Sequence, residues 1–257
     1  MNPMGDTWLF LKGRVKSGFY RHATIPDNIR EPVTKVSRNQ TIHPFANRFA
    51  TLALAQSLKD MGKPIEPETP IKGGGVEQRQ MDSVFPGAVN YGGNEKIHQE
   101  NAAEVRRIQY SPLMQMLGLA DTKPQNVGMK DNQLTIFDPA FRTFRGHKIR
   151  QYGKPLDFDN YTAHKNILDN VKNVPSEELA DLTQGIKDYR PQFDAWQNDG
   201  DLRNWQSGIG DYHAARDTLT YLNSLRQDPQ QTKLFEHEGF GDNPQEYSNL
   251  VQNLRGE

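Results

Sequence analysis

Cysteine is absent from the 257 residues, which excludes disulfides, thiolate zinc sites and cysteine nucleophiles together. Apolar residues are scarce, at 35% with a mean hydropathy of −0.83, while Asn and Gln number 19 each. Burial of so little apolar surface cannot offset the entropy of ordering every segment, so part of the chain is expected to be extended or ordered by a partner. Long apolar runs are missing as well. The longest, such as Trp8 to Leu11 and Leu52 to Ala55, fall far short of the roughly 20 residues that cross a bilayer. A transmembrane helix and a membrane partner are therefore not expected. Trp8 to Leu11 also stands too early and is too brief for a signal-peptide core, and no small-residue cleavage pattern follows it, so secretion by a signal peptide is not expected either. No G-x-S-x-G and no H-E-x-x-H occurs, which leaves nucleophilic hydrolysis without a candidate triad. No cofactor is implied.

What is present is a division of charge. Residues 1–155 carry 22 Lys and Arg against 14 Asp and Glu, a balance of +8. Residues 156–257 carry 9 against 18, a balance of −9. The near-zero total hides this asymmetry, which bears on partners and self-association rather than on fold. The reading that follows is a basic, loop-rich half, 1–155, joined to an acidic half, 156–257.

The acidic half has the 3.6-residue apolar period of helices. Tyr161, His164, Leu168 and Val171 form one stripe, and Leu179, Leu182, Ile186 and Tyr189 a second, capped by Ser176 and stopped by Pro191. Asp211 opens a third, with Tyr212, Ala215, Leu219 and Leu222, and Asn243-Pro244 a fourth, with Tyr247, Leu250, Val251 and Leu254. Four such helices can close a bundle, with Trp196 and Trp205 in a linker plugging one end. In the basic half, helices are expected near 44–61 and 94–117, the latter restarting at Ser111-Pro112 and ending at Gly118. Lys63 to Gly93, with Gly73-Gly74-Gly75 and Gly92-Gly93, reads as a loop or arm whose glycines act as a hinge. Residues 14–43, polar and broken by Pro26 and Pro32, read the same way. The fold class expected is mainly α: an acidic C-terminal helical bundle with an irregular, partly extended basic N-terminal half.

Three groupings carry possible chemistry. Residues 141–154 interleave basic and aromatic side chains, and Arg142, Arg145, Lys148, Arg150, Tyr152 and Lys154 are what a nucleic-acid strand needs for charge and stacking. The same segment also reads as a solvated strand with its aromatics packed inward, the reading preferred here because the basic density is low for a nucleic-acid footprint. His213 and Asp217, one turn apart on a helix, and Glu236-His237-Glu238 supply metal-type ligands, but only as pairs where a site needs three or more converging groups. Asp121-Thr122-Lys123 contains the D-x-K ending of some nuclease sites, without an acidic partner on a convincing strand.

Asp6-Thr7-Trp8-Leu9-Phe10-Leu11-Lys12-Gly13 resembles the opening of many proteins of tailed bacteriophages and environmental viral sequences, a capped Trp-x-x-Leu-Lys turn. The resemblance covers these eight residues and implies a viral origin without an activity. Physically they make a short amphipathic turn, with Asp6 as cap and Gly13 as stop. The function expected is a non-enzymatic viral or virus-like structural or assembly protein, located in the host cytoplasm or the virion. Its partners would be other copies of itself or other virion proteins. The alternatives are a nucleic-acid-binding protein using 141–154 and, third, a metal-dependent hydrolase.

Overall fold

The computed structural model describes residues 14–17, 21–37, 49–71, 75–83, 92–143, 167, 169–198 and 206–227. Ten strands in three sheets and seven α-helices lie among them, which corrects the expectation of a mainly α chain: the fold mixes α and β.

The largest sheet has five antiparallel strands in the order β1 (Arg14–Ser17), β2 (Arg21–Ile25), β3 (Val33–Ser37), β6 (Gly75–Gln78) and β5 (Thr69–Ile71). Residues 14–37 belong to the stretch 14–43 expected to be irregular because it is polar and broken by Pro26 and Pro32. The reason lies in what the sheet buries: Lys35 and Gln78 are buried with Val76 on one face and Thr24 on the other, so neither face is uniformly apolar and the period of two leaves no clear hydropathy signal. Within the expected arm, β4 (Ile65–Glu66), β5 and β6 are all paired strands. Pro70 sits in β5, an edge strand, where a missing N–H is tolerated. Gly75 is no hinge, because a Cβ there would stand 3.0 Å from the Lys35 carbonyl oxygen. It permits the close approach of β6 to β3.

The second sheet runs β4, β9 (Gln133–Phe137), β8 (Val127–Lys130), with β4 parallel to β9. The β8–β9 hairpin turns through Asp131 and Asn132, both at positive φ (50° and 61°), as a two-residue connection with the right-handed strand twist requires. A two-stranded ribbon pairs β7 (Leu119–Ala120) with β10 (Ala140–Phe141).

The helices follow the sequence more closely. α1 (Phe49–Asp60) is buried over most of its surface, and Ala50, Ala53 and Ala55 let neighbours approach it from several sides. α2 (Gly92–Glu100) and α3 (Ala102–Gln109) divide at Asn101 the helix expected from 94 onward. α4 (Pro112–Met116) starts on its proline and stops before Gly118 at φ 64°, both as expected. α5 (Ser176–Asp188) buries Leu179, Leu182, Thr183 and Ile186. Pro191 does end it, and then serves as the second residue of α6 (Arg190–Asn198), which contains Trp196. α7 (Gln206–Gln227) begins before Asp211 and buries Tyr212, Ala215, Leu219 and Leu222. Val171 is helical and buried, whereas Tyr161, His164, Leu168, Trp205, the 243–254 stripe and the 6–13 turn lie outside the described residues.

The helical layer is not a C-terminal bundle. α1, from the basic half, packs on both α5 and α7, and one apolar cluster runs through residues of both halves. At its centre the Phe49 ring meets Phe193 edge-on at 5.3 Å, and Phe193 stacks on Tyr212 at 4.4 Å. The Tyr212 hydroxyl, buried with them, donates to the Ile186 carbonyl at 2.9 Å, so a polar atom in the core is satisfied.

Candidate functional site

Two carboxylates are buried where the strands of the basic half converge. Glu68, between β4 and β5, accepts a hydrogen bond from Lys35 Nζ of β3 at 2.6 Å, and the same ammonium donates to Gln78 Oε1 of β6 at 2.8 Å. Gln78 passes the network on by donating from Nε2 to the Glu66 carbonyl at 2.9 Å. The Glu66 side chain is held in a fork by Arg79, Nε to Oε1 at 2.7 Å and Nη2 to Oε2 at 2.9 Å. Lys59, from the last turn of α1, reaches Oε2 at 3.3 Å. Planar, bidentate pairing of this kind neutralises a carboxylate that burial would otherwise penalise. The Glu66 carboxylate in turn raises the Arg79 pKa above its ordinary value. The chain therefore commits five charged residues, from three elements and two connections, to fixing the seam between the two larger sheets and α1.

Above this seam lies an open groove of about 500 Å³, lined by Ile29, Arg30, Pro32, Arg79, Asp82 and Lys130. A second hollow of about 360 Å³ shares Pro32 and Arg79 with it and extends past Lys59 and Glu77. The groove's wall is rigidly built. Asn28 Oδ1 accepts from the Arg30 N–H at 3.1 Å, and the buried Gln80 places Nε2 3.0 Å from each of the carbonyls of Pro26, Asn28 and Glu31. One amide thus holds the turn that presents Ile29 and Arg30. On the opposite wall Asp82 accepts from Lys130 Nζ at 2.8 Å and from the Asp131 N–H at 2.6 Å. These bonds, the Lys130 ammonium first, hold its carboxyl below the usual range.

The residues singled out in the sequence fall elsewhere. Arg142 is exposed at the end of β10, while its neighbour Phe141 is buried against the core, where it cannot stack on a base. Arg145, Lys148, Arg150, Tyr152 and Lys154 lie outside the described residues, as do Glu236, His237 and Glu238. His213 and Asp217 do lie a turn apart on α7, but Asp217 Oδ1 is taken by Arg216 at 2.7 Å. The His213 ring packs edge-on to Phe193 at 5.6 Å with a buried Nδ1 that has no hydrogen-bond partner. Burial, and then the Arg216 cation, lower its pKa. Among the described residues no three His, Asp or Glu side chains converge on a metal-sized site. The D-x-K grouping closes on itself, with Lys123 paired to Asp121 at 2.7 Å. No helix among the described residues is long and apolar enough to cross a membrane.

Lys35, Glu66, Glu68 and Arg79 escaped notice in the sequence because they are scattered over forty-odd positions of polar chain. The only local sign is Glu66-Pro67-Glu68, two carboxylates in a stretch too proline-rich for a solvated helix. No family model matches the chain, no curated protein matches it, and no solved structure does.

Proposed function

We propose that the chain is a non-enzymatic structural or assembly protein of a virus or virus-like particle, working through contacts with other copies of itself or with other virion proteins. The observation that carries this reading is where the charge lies relative to the join between the halves. The join is apolar at its centre, α1 against α5 and α7, with an ion pair between Lys63 and Glu178 at 2.5 Å at its margin. Among the described residues, exposed charges of each half such as Arg30 and Asp181 stand on outward surfaces, where they can steer and select partners. The buried carboxylates Glu66 and Glu68 fit the same reading, since each is tied to cations of its own chain and serves rigidity. The viral context rests on the 6–13 turn alone, and with it the placement in the host cytoplasm or the virion.

Sedimentation of the full chain across a salt and concentration series tests the reading. Attraction between exposed charges is screened beyond about 8 Å at physiological ionic strength, so the mass should rise with protein concentration at low salt and fall back as salt increases. A monomer throughout, with no partner captured from virion proteins, would refute it.

A further inference from the structure

We propose that the groove beside Arg79 is one half of a head-to-tail contact, and that its occupant is the outer face of α5 from a second copy of this chain. The inference rests on the assembly reading above and names the two surfaces that reading leaves open.

The groove supplies the basic side. Arg30 is exposed and Ile29 retains 41% of its surface, on a turn that Gln80 fixes through three carbonyls. An apolar side chain and a cation presented together on a pinned turn lose little conformational freedom when a partner arrives. Arg79 and Lys130 line the walls as well, but each is already paired, with Glu66 and with Asp82, which leaves Arg30 as the lining cation that a partner meets.

α5 supplies the acidic side. Glu177, Asp181, Gln184 and Asp188 are all exposed, and their i, i+4, i+7, i+11 spacing puts them on one stripe. At about 100° per residue this stripe lies opposite the buried set Leu179, Leu182, Thr183 and Ile186. The face that binds α1 and α7 thus points inward, and the acidic stripe points away from the body of its own molecule. A groove and a stripe that use different surfaces of one chain make a heterologous contact, which propagates into rings or open chains.

The experiment uses two variants of the full chain. The stripe variant carries Asp181→Lys and Asp188→Lys, both at exposed positions. The groove variant carries Ile29→Ser and Arg30→Glu, leaving Arg79 and Lys130 to hold Glu66 and Asp82. Circular dichroism and thermal melting verify that both fold. At low salt each variant alone should associate about tenfold or more weakly than the parent chain, since like charges then face each other. Mixed in equal amounts they should associate again, because the intact groove of one variant meets the intact acidic stripe of the other. Parent chain that assembles while both variants assemble equally well, or variants that stay monomeric when mixed, would overturn the groove assignment and leave the assembly reading standing. Parent chain that stays monomeric at low salt would overturn the groove assignment, and if it also captures no partner from virion proteins it would overturn the assembly reading as well.

Discussion

Lys35 and Glu68 show how much depends on a single pair. Their side chains are 11% and 2% exposed, so each charge has exchanged water for the other. Glu68→Ala should cost about 3–5 kcal/mol by leaving the Lys35 ammonium buried, whereas Lys35→Met combined with Glu68→Leu should recover most of that loss. Urea unfolding of the two variants measures the difference, and equal losses would show that the pair does not act as a unit. His213 makes a pH prediction. Its pKa is lowered in the folded chain, so the unfolded chain binds its proton more readily as pH falls through about 6.5. Stability from this residue is complete above that value and declines below it. His213→Gln should therefore flatten the fall in melting temperature between about pH 7 and about pH 5; an unchanged slope would assign the fall to other groups.

Helices were legible in the sequence and strands were not, for one physical reason. The stripes of α5 and α7 alternate apolar and polar residues at the helical period because one face is core and the other water. In the five-stranded sheet Lys35 and Gln78 are buried on one face and Thr24 on the other, so hydropathy does not distinguish the two faces. The charged network at the seam was hidden for the same reason, since its members are polar residues in polar stretches, brought together only by strand pairing. Between elements, one close approach involves a glycine inside a helix. A Cβ at Gly185 would stand 2.8 Å from both Cβ and Oγ of Ser57, so α5 and α1 touch there almost backbone to backbone. Alanine is the better helix former by about 1 kcal/mol, yet Gly185→Ala should destabilise the chain by about 1–3 kcal/mol through overpacking. Adding Ser57→Gly should relieve part of that strain, and thermal unfolding of the single and double variants would expose the coupling.

For the whole molecule, the charge boundary near residue 155 is not where the core ends. Phe49 of α1 and Phe193 of α6 touch, and α1 is covered by helices from the other half. Expressed separately, 1–155 should present an uncovered α1 and 156–257 an uncovered α5–α7 face. Each should bind a hydrophobic dye and melt without a sharp transition, and mixing them should restore cooperative unfolding. A cooperative transition in isolated 156–257 would make the acidic half a domain of its own.

The same arrangement dictates an order of events during synthesis. α1 ends at Asp60, and α7, one of the helices that covers it, is complete only at Gln227. At about 5–20 residues per second, a ribosome leaves a helix with nine of its twelve residues destined for burial without its cover for on the order of ten seconds. Nascent chains crowded on one message would hold that helix in common, and a chaperone, or a neighbouring chain, would meet it before its own C-terminal helices do.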